Sequence, residues 1–341
     1  MFAPKTVIEG LRGVGRVELK LEEGQSAYVF LGQNAVGKTK TLEAVFQIAL
    51  FAYFSKMGGK VGPYREEHRR FAAANTREWS FSPPESVSFA RSFVDEKLRS
   101  KALPCVFAGS QNLGFVQHAK SKAPPLGTSE QRRDFYINGL LNGMVSGFSS
   151  LNMESGIEQW FVARAQSANR DQRADDSREI EIEAVLELMH RIDARVDPEF
   201  LEVSGDERVA VKVSGERREL DQLSSGFASV LKLVQAIVAG YASFTNERAL
   251  RDVRGMVFID EIESHMHLSW QARIVRLLVE LFPNTTFYVT THSALVTAQC
   301  RRGEAYRLQR DPDEGVVRSE RIDSPGTAAF VDLLDAVFGV D

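Results

Sequence analysis

Residues 30–45, FLGQNAVGKTKTLEAV, place two glycines, a lysine and a threonine at a spacing suited to binding phosphate. The segment fits the pattern G-x-x-x-x-G-K-[ST] and lies between an apolar strand, SAYVFLG, and a helix. Glycines let backbone N–H groups and the helix N-terminus face an anion, while the lysine reaches the outer phosphates and the threonine hydroxyl ligates Mg²⁺. The predicted nucleotide-binding residues are Gly32, Gln33, Asn34, Ala35, Val36, Gly37, Lys38, Thr39 and Lys40.

A pair of acidic residues, Asp260 and Glu261, follows the apolar run Met256–Ile259. The run predicts a buried parallel strand, which would bring both carboxylates to its C-terminal edge, where ligands bind in open α/β sheets. There Asp260 would hold Mg²⁺ with Thr39, partly through water, and Glu261 would orient and deprotonate the attacking water. Such a run alone more often marks only a strand end, but after a phosphate loop it indicates a catalytic pair.

A second apolar run, Thr286–Val289, predicts another buried strand and leads to His292. A lone histidine is more often structural than catalytic. If this strand lies beside the strand that precedes Asp260, however, His292 faces the terminal phosphate and can sense it through a hydrogen bond. We therefore include His292 among the candidate catalytic residues, with Glu261 and Lys38.

The segment Leu223–Phe227, LSSGF, precedes a helix with a regular apolar face. Its serines have two interpretations of about equal weight. They are N-caps of that helix, or the helix start is a second anion site, which Ser224, Ser225 and Gly226 would form.

Several elements must position these residues. Short strands are predicted at 5–9 and 16–21, and the helix at 38–53 is apolar nearly all round, as expected for burial against a sheet. Farther along, SREIEIEAVLELMHRIDARV has helical spacing and ERVAVKVSG alternates like a half-buried strand.

The amino-acid composition changes between residues 56 and 169. Glycine, proline, serine and scattered charged residues in this stretch indicate an inserted subdomain with long loops. The predicted fold class is α/β, with a mixed sheet and a partly helical insertion. The predicted divisions are an N-terminal part of the core at 1–56, an inserted helical and loop subdomain at 57–199, and a C-terminal part of the core at 200–341.

Composition is that of a globular protein. Of 341 residues, 43% are hydrophobic and 26% charged, and the net charge of -4 gives no global signal for nucleic acid. The N-terminus lacks the apolar run of a signal peptide and the stretch AVFQIALFAYF is too short to span a bilayer, so a cytoplasmic location is expected. Cys105 and Cys300 show no metal-ligand spacing and are expected to be buried thiols.

Together the four motifs resemble the ATP-binding-cassette (ABC) ATPase superfamily, a class of P-loop NTPases, in its RecF-like, SMC-like and OLD-like branch. The resemblance makes 32–39 the Walker A loop, 223–227 the signature, Asp260 and Glu261 the Walker B pair, and His292 the switch histidine. It implies ATP and Mg²⁺ as ligands. It also implies a homodimer or higher oligomer in which one head supplies Walker A and Walker B and the other supplies the signature.

The resemblance covers the two ends of the chain, 1–56 and 200–341, where EGLRGVGRVELKLEEG looks like the N-terminal hairpin of the branch and DEIESHMHLSWQ like its acid-rich motif. The chain is also similar to stand-alone ATPases of phage-defence systems such as Septu and PARIS, which share LSSGF and a C-terminal helix like FVDLLDAVFGVD. Gln111, in FAGSQNLG, is a candidate for the glutamine loop of the superfamily, whose position the sequence does not fix. The stretch after His292 is too short for a TOPRIM nuclease domain, so a nuclease or toxin effector is expected on another chain.

Three functions compete at this stage: a defence ATPase that senses invader molecules and controls a partner, a RecF-like repair ATPase that clamps DNA, and an ATP-switched binding module with negligible turnover. The DNA clamp predicts duplex binding that depends on ATP and weakens steeply with salt. Scattered charge in loops is usually only solvated, and we favour that interpretation for the candidate DNA surface. Its residues are Lys101, Lys120, Lys122, Arg132 and Arg133.

Overall fold

A computed structural model describes most of the chain, and its strands and helices account for the placement of all four motifs. The described residues are 1–57, 66–83, 94–111, 116, 128–153, 157–167, 178–245 and 249–323. The strands are β1 (Lys5–Leu11), β2 (Gly15–Lys20), β3 (Ala27–Leu31), β4 (Ala73–Asn75), β5 (Ser80–Phe81), β6 (Cys105–Ala108), β7 (Val196–Val203), β8 (Val209–Val213), β9 (Glu216–Glu219), β10 (Gly255–Ile259), β11 (Thr285–Thr290), β12 (Ala305–Arg310) and β13 (Val317–Arg321). The helices are α1 (Lys38–Met57), α2 (Glu96–Ser100), α3 (Ser129–Ser146), α4 (Ile157–Ser167), α5 (Glu179–Ile192), α6 (Ser225–Phe244), α7 (Leu268–Gln271), α8 (Ile274–Leu281) and α9 (Ala294–Ala298).

Ten strands form one mixed sheet in the order β5-β4-β1-β2-β13-β12-β3-β11-β10-β6. The neighbours from β12 through β3, β11 and β10 to β6 are all parallel, and the hairpins β1–β2 and β12–β13 are antiparallel. In β3 and β10 every residue is buried, which explains their continuous apolar sequences. The predicted mixed α/β fold is confirmed.

The two faces of the sheet bury alternate residues of the same strands in different cores. Val29 and Val257 belong to a core with α5, α6 and α8, whereas Phe30 and Phe258 belong to a core with α1 and α3. This alternation follows from the two-residue period of a strand. Helix α1 is buried from residue 41 to residue 55, in agreement with its uniformly apolar sequence.

Three strands of the predicted insertion lie in the main sheet. β4 pairs with β1, β5 pairs with β4, and β6 pairs in parallel with β10. Periodicity did not reveal them because β4 and β5 are only three and two residues long. Part of the stretch assigned to an insertion therefore belongs to the sheet that carries the candidate site, and the proposed boundary after residue 56 does not bound that sheet.

Helix α6 is long and apolar enough to cross a membrane, a feature that the sequence reading overlooked. However, 72% of its most apolar window is buried inside the protein, which is also the behaviour of a core helix. Cys105 and Cys300 are free and buried, as expected. Their burial raises the pKa of the Cys105 thiol, and raises that of Cys300 to about 12.

Candidate nucleotide-binding and catalytic site

The loop between β3 and α1 is shaped by close backbone contacts at its two glycines. A Cβ atom at Gly32 would lie 2.5 Å from the carbonyl oxygen of Leu308 in β12, and one at Gly37 would lie 2.8 Å from the Val14 side chain. Both glycines have positive φ angles, 146° and 107°, as does Ala35 at 61°. The β12 backbone and the turn between β1 and β2 therefore hold the loop in place.

Lys38 begins α1 and is buried, with 6% of its surface exposed. Its Nζ donates hydrogen bonds to the carbonyl oxygens of Gly32 (2.8 Å) and Gln33 (3.0 Å), so the ammonium group lies over the loop. Burial lowers the pKa of Lys38, and the charges of the nearby acidic residues, Glu261 first among them, oppose that shift. A cation is thus held where phosphate oxygens would replace carbonyl oxygens as acceptors.

Asp260 follows β10 directly and accepts two hydroxyl hydrogen bonds on the same oxygen. Its Oδ1 lies 2.9 Å from Thr39 Oγ1 and 2.6 Å from Thr290 Oγ1. The side chain is almost fully buried, and burial raises the pKa of the carboxyl group, while the hydrogen bonds from Thr290 and Thr39 oppose the rise. Because β3, β11 and β10 are parallel neighbours, their C-terminal ends bring these residues to one edge of the sheet.

Glu261 has a left-handed backbone, with φ of 47°, which is costly for a residue with a side chain. The conformation is stabilised because its backbone N–H donates to Thr290 Oγ1 over 2.8 Å. Its carboxylate accepts a hydrogen bond from Ser264 Oγ at 3.3 Å and is half-buried. The two consecutive carboxylates thus have different partners: the hydroxyls of Thr39 and Thr290 for Asp260, and the hydroxyl of Ser264 for Glu261.

β11 lies directly beside β10, as expected, so His292 is at the same sheet edge as Asp260. Its backbone N–H donates to Glu263 Oε1 at 2.5 Å, and Thr291 Oγ1 donates to Glu263 Oε2 at 2.7 Å. Glu263 thus holds the His292 backbone with one carboxylate oxygen and the Thr291 hydroxyl with the other. Sequence reasoning missed the roles of Thr290 and Glu263, although the doubled threonine before His292 and the second glutamate of DEIE were visible signals.

The serines of the signature segment are exposed, whereas Lys38 and Asp260, at the phosphate loop and the adjacent sheet edge, are buried. Ser224 is the N-cap of α6 and accepts from Phe227 N at 3.4 Å, and Ser224 and Ser225 are both exposed. Gly226 is buried, and a Cβ atom there would lie 2.9 Å from Trp270 Cδ1. In the described part of the chain, no hydrogen bond or ion pair joins these three residues to the loop at 32–39.

Two further candidate residues, Lys40 and Gln111, make no described hydrogen bond to Lys38, Thr39 or Asp260. The Nζ of Lys40 bonds both carboxylate oxygens of Glu43 at 3.0 Å, which turns its charge toward α1. Gln111 lies three positions after β6, and its backbone N–H donates to Ser149 O at 2.7 Å. Since β6 is parallel to β10, Gln111 follows the same sheet edge.

The donor set fits magnesium. Mg²⁺ takes octahedral oxygen ligands at about 2.0–2.1 Å, which places adjacent ligands about 2.9 Å apart. The hydroxyl of Thr39 and the carboxylate of Asp260 have this separation. Among the described residues no group of three or more His, Cys, Asp or Glu side chains is suited to a metal.

Fold and site define an ABC-like P-loop ATPase. A family model described as "AAA domain, putative AbiEii toxin, Type IV TA system" matches residues 111–298, which include the signature, the Walker B pair and His292. The match covers more than half of the chain, and the chain belongs to this family.

Curated relatives agree with that class. The Septu protein PtuA of Bacillus thuringiensis is 22% identical over 318 residues, covering 91% of this chain and 76% of PtuA. A protein named "Retron Ec83 probable ATPase" from Escherichia coli is 42% identical over 77 residues, but these cover 22% of this chain and 14% of the retron protein. The chain is therefore similar to a Septu protein and to a retron protein named a probable ATPase.

Solved structures of SMC heads align with most of the chain at low similarity. An SMC head bound to the C-terminal winged-helix domain of ScpA covers 94% of this chain and 97% of its own, with 13% identity and a TM-score of 0.47. The SMC head domain from Thermotoga maritima covers 94% and 98%, with 13% identity and a TM-score of 0.44. The fold assignment depends on the strand order and the family match rather than on these scores.

Proposed function

We propose that this protein is a cytoplasmic ATPase whose two heads associate when ATP binds and separate when it is hydrolysed. The observation that carries the proposal is the meeting of Lys38, Thr39, Asp260 and Glu261 at one sheet edge, while Ser224 lies exposed at the N-terminus of α6, where its hydroxyl caps the helix. One head therefore holds a nucleotide-binding half-site and offers a second anion-binding half-site to another molecule. A second copy of the chain supplies the complement with two-fold symmetry.

In this scheme Lys38 and the loop N–H groups bind the phosphates, and Thr39 and Asp260 hold the Mg²⁺ that neutralises phosphate charge. Glu261 positions the attacking water and accepts its proton, and His292 senses the terminal phosphate. The left-handed turn at Glu261 and the Glu263 contact with the His292 backbone pre-organise both groups.

The same proposal gives the cycle a role in antiviral defence. The similarity to Septu PtuA and to retron ATPases supports it. In this proposal the ATP-engaged dimer would control a separate effector, a nuclease or toxin.

A RecF-like DNA clamp is less well supported. Arg132 is buried with 8% exposure, Lys101 pairs with Glu78, and Arg133 lies 3.9 Å from Glu130. Lys120 and Lys122 lie outside the described residues. No described contact favours the remaining alternative, an ATP-switched binding module with negligible turnover. Measuring ATP hydrolysis by the wild-type protein tests this alternative.

Glu261→Gln tests the proposal directly. The amide keeps the size of the side chain but cannot accept the proton, so hydrolysis should fall by about 10²–10⁴-fold while ATP and Mg²⁺ still bind. Sedimentation of this variant should show more dimer with ATP than with ADP or without nucleotide.

Wild-type protein under the same three conditions is the control for Glu261→Gln. It should hydrolyse ATP and show a smaller dimer fraction at steady state. Equal association in all three conditions would contradict nucleotide-gated engagement, and absence of hydrolysis by the wild type would favour the ATP-switched module.

A further inference from the structure

Helix α7 contacts three segments that carry functional motifs. It follows the turn that begins at Glu261, and His267 caps its N-terminus. Trp270 contacts the start of α6, and Gln271 contacts the segment after His292. A four-residue helix would otherwise contribute little to the core.

The contact of Trp270 with the signature is tight. The position of a Cβ atom on Gly226 is 2.9 Å from Trp270 Cδ1 and 3.2 Å from its Nε1, so the indole lies against the backbone of Gly226. The guanidinium of Arg273 lies 4.0 Å from the centroid of the indole ring. Trp270 therefore contacts both the Arg273 cation and the start of α6.

The neighbouring residue joins α7 to the catalytic segments. Gln271 Oε1 accepts from Ser293 Oγ at 2.7 Å, and its Nε2 donates to the carbonyl of Met266 at 2.9 Å. Its own carbonyl accepts from the side chain of Gln299. One side chain thus bonds the residue next to His292 and the end of the turn that begins at Glu261.

We propose that Trp270 and Gln271 are positioning residues that link the signature to the catalytic turn of the same head. The inference rests on the proposed function, in which the signature of each head serves the site of its partner. Engagement of Ser224 with the partner's phosphate would move or fix the start of α6, and Trp270 and Gln271 would carry that change to Glu261 and His292. The two sites of a dimer would then be committed to hydrolysis together.

A double-mutant cycle tests the link. Trp270→Ala and Gln271→Ala should each lower kcat about tenfold at saturating protein, because loss of positioning slows the chemical step. No hydrogen bond between described residues joins Trp270 or Gln271 to the phosphate loop, so KM and ATP affinity should stay within about twofold of wild type. The double variant should lose about tenfold rather than a hundredfold, since either change alone breaks the same link.

Two further variants separate positioning from loss of stability. Trp270→Phe keeps an aromatic ring against Gly226 and should retain most of kcat. Trp160→Ala removes a tryptophan that also stacks on an arginine, Arg164, at 4.2 Å, but on α4. It should cost similar thermal stability and leave kcat unchanged.

Independent, multiplying losses in the double variant would overturn the link, as would an equal loss of kcat in Trp160→Ala. In both cases wild-type hydrolysis and ATP-driven association would persist, so the proposed function would stand. If the wild type shows association without hydrolysis, the same cycle is measured as dimer fraction. If it shows neither, the proposed function fails and the link fails with it.

Discussion

Two regions of the molecule are suited to binding a nucleotide phosphate: the loop edge, which is the phosphate loop at 32–39 with Asp260 beside it, and the signature start, which is residues 224–226. They differ in how many of their polar atoms already have hydrogen-bond partners within the chain. At the loop edge, Lys38 and Asp260 are buried and their polar atoms are bonded to loop carbonyls and hydroxyls. At the signature start, Ser224 is exposed and makes one long capping bond of 3.4 Å. The contrast is what we expect if, as proposed, the first region is organised within one head and the second engages another molecule.

The largest expected effect is at the loop edge. Lys38→Ala removes the cation that the loop carbonyls hold, so ATP affinity should fall by on the order of a hundredfold or more. Titration with a fluorescent ATP analogue measures it, and thermal unfolding shows whether the variant is folded. Lys40→Ala is the matched comparison, because the Lys40 ammonium bonds Glu43, and its loss should be about threefold at most. Equal losses from the two lysines would remove the contrast between them.

An intermediate effect is expected at the signature start. In the Glu261→Gln background, Ser224→Arg should abolish the ATP-driven gain in dimer by crowding the shared phosphate, while each head still binds ATP with unchanged affinity. Ser224→Thr keeps both the hydroxyl and the helix cap, so it should retain most of the gain. Sedimentation with and without ATP measures the association, and an unchanged dimer fraction in Ser224→Arg would mean that the exposed serine is only a cap.

The smallest effect concerns stability at the loop edge. Asp260→Asn should raise the free energy of unfolding at neutral pH by on the order of 1 kcal/mol in the absence of Mg²⁺, because the native state no longer buries a charge. The folded-state pKa of Asp260 is raised by burial, so the wild type gains relative stability as pH falls through that pKa. Urea unfolding of both proteins across pH should therefore show the difference shrinking toward acid. A difference that is constant with pH would contradict the burial of a charged carboxylate.

Much of this arrangement was predictable because it follows from local pattern. The glycines and Lys38 predicted the phosphate loop. Two apolar runs predicted that Asp260 and His292 follow adjacent parallel strands. The hydroxyl of Thr290 and the carboxylate of Glu263 were not predicted, since their partners depend on the register of β10 against β11. A sequence shows that a strand is buried, but not which neighbour its last residue will face.

The short strands illustrate a second limit. β4 and β5 have too few residues to show a period, and β6 is a four-residue apolar run that a buried helix would also allow. Only pairing with β1 and β10 gives them their place in the sheet. The contact of Trp270 with Gly226 is likewise tertiary, because α6 and α7 are separated in sequence by β10.

The contact between the Leu308 carbonyl and Gly32 affects when, during synthesis of the chain, the phosphate loop can take its final structure. β3 pairs with β11, roughly 260 positions later in the chain (Ala27 with Phe287), and with β12, roughly 276 positions later (Val29 with Ala305), and such distant pairings form slowly. Until β12 has been synthesised and has paired, the phosphate loop lacks the backbone that confines it. We therefore expect nascent chains that end before β12 not to bind ATP. A ribosome that stalls before this point would release a fragment without ATP-dependent activity.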